Sequence, residues 1–228
     1  MSIVKHIPNT ITCCNLLSGC VSIFLLCQNH VIGASIMIFV AAVFDFLDGF
    51  AARMLNAKSP IGGELDSLSD VVSFGVAPSF IIAMLLSKTG INWMISDVNI
   101  FPMLAFILAA FAAVRLAKFN IDTRQTSSFI GLPVPAVGLF VASLPLANLS
   151  FVTNPYFLLA IVAIFSWLMI SEVPFFSFKI KNLKFKDNII RYFVVIFAII
   201  AVIVLKWVAL PFIFLFYILL SVICYRGE

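Results

Sequence analysis

The chain has 228 residues, of which 63% are hydrophobic and only 11% carry a charged side chain. Its mean hydropathy is +1.18 and its formal net charge is a modest +4. A soluble domain needs far more polar residues to cover its surface, so this composition excludes a soluble protein and predicts an integral membrane protein.

Eight apolar segments have about the length needed to cross a membrane, since a helical span takes roughly 20 apolar residues. In chain order they lie near 10–27, 31–50, 63–86, 102–119, 133–150, 155–171, 190–206 and 209–225. They are apolar on all sides rather than alternating with polar positions, which favours helices over a transmembrane β-barrel. The sequence therefore predicts an all-α, polytopic helical bundle with about eight transmembrane helices, forming a single membrane domain over residues 1–228.

The basic residues are distributed unevenly between the two ends of these spans. With a cytoplasmic N-terminus, only Lys88 and Lys206 of the 14 lysines and arginines lie outside the cytoplasm. This positive-inside bias predicts that both termini lie on the cytoplasmic side of the inner (cytoplasmic) membrane. The longest charged connection, 171–191, alternates basic and apolar residues and is predicted to be solvated or to bind anionic membrane lipids.

Four aspartates lie at the end of the second span and in the third, within membrane-spanning segments where carboxylates are rare and mark functional sites. On helical wheels Asp45 and Asp48 share one face of the second span, and Asp66 and Asp70 share one face of the third. The connection 54–61 is short enough to make the two helices antiparallel, so that their acidic faces can surround one cavity. Oxygen-only ligands favour Mg²⁺ or Mn²⁺, and two such divalent sites suit phosphoryl transfer.

The spacing of these acids is D-x-x-D-G-x-x-A-R-x₈-G-x₃-D-x₃-D, which is identified as the signature of the CDP-alcohol phosphotransferases. All eight fixed positions are present: Asp45, Asp48, Gly49, Ala52, Arg53, Gly62, Asp66 and Asp70. Other segments resemble the membrane phosphatidylserine synthases of that family. They are PNTITCCN at 8–15, GGELDSLSDVVSFGVAP at 62–78, RLAKFN at 115–120 and FIGLPVPA at 129–136.

This resemblance covers about the first 145 residues and implies a six-helix catalytic core within about 1–172, followed by additional helices at about 189–226. It implies transfer of a phosphatidyl group from CDP-diacylglycerol to L-serine, giving phosphatidylserine and CMP. The implied metal ligands are Asp45, Asp48, Asp66 and Asp70, and Asp70 is also the implied general base on the serine hydroxyl. The residues implied to bind the CDP moiety are Asp48, Gly49, Ala52, Arg53 and Gly62.

Several further residues are candidates for substrate contacts. Asn9 and Thr12 are predicted to contact nucleotide or phosphate, although capping of the first helix by Asn9 or Thr10 is an equal alternative. Serine is a zwitterion, so its carboxylate needs a cation. The candidates for this are Arg115, Lys118 and Arg124, which are alternatively positive-inside anchors. Glu64 is a candidate for the serine ammonium group, or else a solvated acid in a first helical turn.

Alternatives remain for the function as well as for single residues. The same reaction type with glycerol 3-phosphate, inositol or an archaeal-type lipid donor is the nearest one. A cation transporter is a remote one, because transporters favour broken helices in two repeated halves rather than acids on a single helix pair. No nucleic-acid partner is expected, and a homodimer is implied by the family alone.

Overall fold

A computed structural model describes residues 6–57, 59–122, 129–175 and 189–224, and it is almost entirely helical in these ranges. The helices are α1 (Ile7–Cys27), α2 (Val31–Met54), α3 (Pro60–Asp70), α4 (Ala77–Ser87), α5 (Phe106–Ile121), α6 (Val134–Ala147), α7 (Pro155–Ile170), α8 (Ile189–Leu205) and α9 (Ala209–Cys224). Two short antiparallel ladders accompany them: β1 (Met94–Ile95) with β2 (Val98–Asn99), and β3 (Phe129–Ile130) with β4 (Pro174–Phe175).

Within the described residues, five helical stretches are long and apolar enough to cross a membrane. They are Ile7–Cys27, Val31–Met54, Pro60–Ser87, Phe101–Ile121 and Phe197–Ser221. Two further apolar helices, α6 and α7, are shorter than a full span. The all-α membrane class is therefore confirmed, whereas the count of eight spans stays a prediction.

Helix α1 holds the acidic helices in place. It packs along both α2 and α3, while α2 and α3 make little direct contact with each other. Small hydroxyl side chains let the backbones approach: Ser22 Oγ donates to the Ala34 carbonyl at 2.9 Å, and Ser73 Oγ donates to the Asn15 carbonyl at 3.0 Å. Such small and polar contacts are the usual means of helix association in lipid. The sequence predicts that α2 and α3 face each other as a pair. In the structure they form a three-helix unit in which both pack against α1, the spacer helix, rather than directly against each other.

The predicted third span is continuous but not uniform, because a π-helical segment, Val71–Val76, joins α3 to α4. Three glycines allow close packing here: a Cβ on Gly19 would lie 2.8 Å from the Ser73 Cα, and one on Gly138 would lie 2.9 Å from the Phe74 Cα. A Cβ on Gly75 would lie 3.0 Å from the Ala112 Cβ. A π-helical turn changes which side chains face the neighbouring helices, and such turns are frequent at functional sites. This one follows Asp70 directly.

The helix starts agree with elementary capping chemistry. Ser59 accepts a hydrogen bond from the Gly62 amide at 3.0 Å at the start of α3, and Asn154 caps α7 in the same way ahead of Pro155. Helix α1 begins after His6, which makes no side-chain capping bond. The alternative that Asn9 or Thr10 caps this helix is therefore wrong, and Asn9 is free for another role.

Candidate active site

Three of the four predicted metal ligands lie together between α2 and α3. One carboxylate oxygen each from Asp45, Asp48 and Asp66 lies within 4.8 Å of the others. The helical repeat accounts for this, because Asp45 and Asp48 are one turn apart on α2 and Asp66 faces them from the second turn of α3. The prediction that the two helices present acids to one place is confirmed for these three residues.

The environment of this cluster suits a hard cation. Asp48 is only 6% exposed, and neither Asp48 Oδ2 nor Asp66 Oδ1, both buried, has a hydrogen-bond partner within the described part of the chain. Buried carboxylates in mutual contact repel each other, and a divalent cation between them removes the repulsion and satisfies the unpaired oxygens. The donor set contains only oxygen, so Mg²⁺ or Mn²⁺ fits it better than a soft metal.

Asp70 lies one turn further along α3 and is 7% exposed. Asn15 Nδ2 of α1 donates a hydrogen bond to Asp70 Oδ1 at 3.2 Å, and the carboxylate interacts electrostatically with Asp45, Asp66 and Asp48. The predicted fourth acid is therefore beside the cluster but held separately by an amide. Sequence reasoning missed Asn15 as a site residue, although Asn9, Thr12 and Asn15 follow one another at intervals of three residues in PNTITCCN, which places them toward one side of the helix.

A cavity of about 260 Å³ opens at the end of α2 and the beginning of α3. Six of the seven residues predicted to bind the CDP moiety line it: Asn9, Thr12, Asp48, Gly49, Ala52 and Gly62. Asp66 lines it as well, so the acidic cluster forms part of its wall. We call this space the signature cavity. Pro8, Ala57, Ser59 and Gly63 complete its lining, and sequence reasoning did not single them out.

The signature glycines keep this cavity open. A Cβ on Gly49 would meet nothing within 4 Å, so the space beside this residue is available to a ligand. A Cβ on Gly62 would lie 3.1 Å from both Asn9 Oδ1 and Ser59 Oγ, which is tight. The one predicted CDP contact outside the lining is Arg53, whose exposed side chain follows Ala52 in the last turn of α2.

A second cavity, of about 360 Å³, lies at the end of α5. We call it the charged cavity, because its lining includes Arg115, Lys118, Asp122 and Glu172. The remaining lining residues are Ile121, Ile130, Met169, Ile170 and Ser171. Two of the three cations predicted for the acceptor carboxylate are therefore here. The third, Arg124, lies outside the described residues.

The two cavities lie at the same end of the bundle. Ser67 Oγ of α3 donates to Asn120 Oδ1 of α5 at 3.1 Å, and Asn120 Nδ2 in turn donates to Glu64 Oε2 at 3.5 Å. These bonds join the first two turns of α3 to the last turn of α5. Glu64 is exposed, accepts the hydrogen bond from Asn120 and lines neither cavity. The structure therefore does not bring it to the predicted acceptor site.

Arg115 connects the charged cavity to the acidic cluster. Its side chain is only 5% exposed, its guanidinium carbon lies 4.8 Å from the centre of the Phe119 ring, and it interacts electrostatically with Asp70. It also interacts with Tyr217 of α9, a buried residue that sequence reasoning did not consider because the last helices contain no recognisable motif. Asp70 lines neither cavity, but it interacts with Asp48 and Asp66 of the signature cavity and with Arg115 of the charged cavity.

Comparison with known proteins identifies the scaffold. Residues 5–177 match the family described as CDP-alcohol phosphatidyltransferase. The chain is 36% identical over 176 residues to the CDP-diacylglycerol–serine O-phosphatidyltransferase of Bacillus subtilis, a match covering 77% of this chain and 93% of that protein. Proteins of the same name from Mycobacterium leprae and Methanocaldococcus jannaschii are 32% and 34% identical, over 97% and 74% of this chain and 73% of each relative. The chain belongs to the CDP-alcohol phosphatidyltransferase family.

Proposed function

We propose that this enzyme transfers the phosphatidyl group of CDP-diacylglycerol to L-serine and releases CMP. The observation that carries the proposal is the oxygen-only cluster of Asp45, Asp48 and Asp66 at the wall of the signature cavity, with Asp70 one helical turn away and bonded to Asn15. The names of relatives with 32–36% identity support CDP-diacylglycerol as donor and serine as acceptor.

The signature cavity is the proposed donor site. Asn9, Thr12 and the open backbone at Gly49 and Gly62 would contact the CDP moiety, with Ala52 leaving room beside them. Arg53 at the exposed rim would reach phosphate from outside, as a flexible side chain with a planar fork of donors can. The diacylglycerol chains would remain in the bilayer, which the apolar outer surface of the helices faces.

The charged cavity is the proposed acceptor site. Arg115 and Lys118 would hold the serine carboxylate there. In this proposal the serine hydroxyl would be directed toward Asp70, with which Arg115 interacts electrostatically. Proximity and orientation of this kind can lower a barrier by several kcal/mol, on the order of 7–11 in the best-oriented cases.

The transfer step follows from these positions. Asp70 accepts the proton of the serine hydroxyl, whose oxygen forms a bond to the lipid-side phosphorus as the bond from that phosphorus to the CMP oxygen breaks. Asn15 keeps the Asp70 carboxylate oriented through the 3.2 Å hydrogen bond. Divalent ions held by Asp45, Asp48 and Asp66, with Asp70 as the proposed fourth ligand, would supply charge neutralisation at the pyrophosphate when bound. The proposed ions are Mg²⁺ or Mn²⁺ in two sites.

The positive-inside distribution of basic residues supports a cytoplasmic active site and cytoplasmic termini in the inner membrane. This location would give the enzyme access to soluble serine and release CMP into the cytoplasm. A homodimer, with the catalytic core in the first 172 residues of each chain, is part of the same proposal.

The test is an acceptor assay on the purified full chain with CDP-diacylglycerol and Mn²⁺ or Mg²⁺. We expect labelled L-serine to enter the lipid fraction with one CMP released per lipid formed. Parallel reactions contain glycerol 3-phosphate or inositol as acceptor, and an archaeal-type donor. CMP release that depends on one of those acceptors, and not on serine, would replace the serine assignment within the same reaction type.

A further inference from the structure

The charged cavity is lined by both basic and acidic side chains, and the proposed function uses only the basic ones. An amino-acid acceptor carries an ammonium group beside its reactive arm, and a buried or half-buried ammonium needs an acid. Of the ten acidic residues in the chain, Asp122 and Glu172 line this cavity. We propose that Glu172 binds the ammonium group of the acceptor and thereby selects an α-amino acid over other alcohols. The inference rests on the proposed function.

The backbone around Glu172 is firmly positioned, although its side chain is exposed. The residue follows the end of α7, and hydrogen bonds flank it: the Gly131 amide donates to the Val173 carbonyl at 2.9 Å, and the Leu132 amide donates to the Leu168 carbonyl at 3.0 Å. Pro174, two residues on, pairs with Ile130 in the β3–β4 ladder. A fixed backbone with an exposed carboxylate suits a group that must bind a soluble substrate and release it with the lipid product.

Gly131 makes this arrangement possible. Its φ is +77°, a conformation that favours glycine, and a Cβ there would clash with the Met169 carbonyl oxygen. The FIGLPVPA segment can therefore lie directly against the end of α7, which brings Ile130, Met169 and Glu172 into one cavity wall. Glu172 therefore lines the same cavity as Lys118 in the last turn of α5 and Arg115 one turn earlier.

The other acids are less suited to the ammonium group. Glu64 accepts from Asn120 and does not line the charged cavity. Asp122 lines it but already has an interaction partner. Glu172 has no hydrogen bond or ion pair to another of the residues that the structure describes, so its carboxylate is available. A cavity with two cations and an available carboxylate is complementary to a zwitterion, whereas inositol and glycerol 3-phosphate have no ammonium group to pair with Glu172.

The test compares Glu172→Gln with the wild-type enzyme in steady-state assays with L-serine. Because a charge-assisted hydrogen bond to the ammonium group is lost, we expect the serine KM to rise about tenfold or more, with the CDP-diacylglycerol KM unchanged. Glu172→Asp keeps the charge on a shorter side chain, so its serine KM should lie between those of the wild-type enzyme and Glu172→Gln. Asp97→Asn is the matched control, since Asp97 is exposed in the turn between β1 and β2 at the other end of the bundle.

A substrate lacking the ammonium group makes the test specific. 3-Hydroxypropionate retains the carboxylate and the hydroxyl of serine, so the wild-type enzyme should discriminate against it and Glu172→Gln should lose most of that discrimination. If Glu172 had a purely structural role, Glu172→Gln would change the kinetics with serine and with 3-hydroxypropionate alike, and the inference would be overturned. An unchanged serine KM in Glu172→Gln would also overturn it. So would a rise in the serine KM of Glu64→Gln as large as that of Glu172→Gln. If the wild-type enzyme shows no serine-dependent CMP release, the proposed function fails instead.

Discussion

The two cavities at the active end of the bundle are built in different ways. The signature cavity uses the first turns of α1, the last turns of α2 and the start of α3, so most of its lining comes from two short stretches of sequence. The charged cavity combines the end of α5, one residue of β3 and the end of α7, which are separated by whole helices. Functional residues that lie within one or two helical turns of each other can be predicted from their spacing in the sequence. Functional residues that come from distant segments can be identified only once the fold is known.

The largest effect should come from removing the metal. Chelation with EDTA should abolish activity, and Mg²⁺ or Mn²⁺ should restore it, because the three clustered carboxylates are otherwise left unneutralised. The double variant Asp45→Asn with Asp66→Asn should lose more than about 100-fold in kcat/KM, since even residues behind metal ligands contribute 10- to 100-fold. Full activity in EDTA would remove the metal from the mechanism.

The variant Asp70→Asn distinguishes the proposed role of Asp70 as general base from its proposed role as metal ligand. We expect kcat to fall on the order of 100- to 10,000-fold, the usual contribution of a general base, while CDP-diacylglycerol still binds. The measurement is turnover with labelled serine alongside equilibrium binding of the labelled donor. Asn15→Ala should lower kcat by a smaller factor, because it removes only the 3.2 Å hydrogen bond that orients the carboxylate. Near-normal turnover of Asp70→Asn would show that another group takes the proton.

Filling the signature cavity should affect the donor and spare the acceptor. Gly49→Leu places a side chain where a Cβ has open space, so the protein should fold while the KM for CDP-diacylglycerol rises about tenfold. Val43→Leu on the exposed side of the same helix is the matched control. If Gly49→Leu raised the serine KM and left the donor KM unchanged, the roles of the two cavities would be reversed.

The smallest effect should come from Arg53→Lys. The bidentate fork is lost but the charge remains, and the side chain is exposed beside the signature cavity rather than in its lining. We expect the apparent donor affinity to fall by a few fold, on the scale of an exposed charge-assisted contact. An unchanged donor affinity, measured by competition with CDP, would show that Arg53 does not reach the phosphate.

The contrast between the cavities also explains what could be predicted from the sequence. Helical periodicity correctly predicts that Asp45, Asp48 and Asp66 lie close together, because the short connection between α2 and α3 favours antiparallel neighbouring helices. It did not reveal α1 as the spacer between them, since packing of serine and glycine against a backbone leaves only a weak sequence pattern. The π-helical turn after Asp70 was equally invisible, because tertiary contacts select it.

The acceptor side was predicted only in part. Arg115 and Lys118 are predictable because they lie on the expected active-site side near the FIGLPVPA segment, whereas Glu172 and Tyr217 have no local signal. Glu64 is one of two readings from the sequence, a serine contact or a solvated acid, and in the fold it accepts a hydrogen bond from Asn120. Sequence proximity to a motif was a poor guide here, and proximity in space to Arg115 required α7 and α9 to be in position.

Direct titration of the purified protein with Mn²⁺, followed by electron paramagnetic resonance, tests the metal cluster without any assumption about substrate. Free Mn²⁺ should be depleted by the wild-type protein, and that depletion should be lost in the variant with Asp45→Asn and Asp66→Asn but kept in Asp97→Asn. Equal Mn²⁺ binding by the wild-type protein and the double variant would contradict the assignment of α2 and α3 as the metal-binding pair.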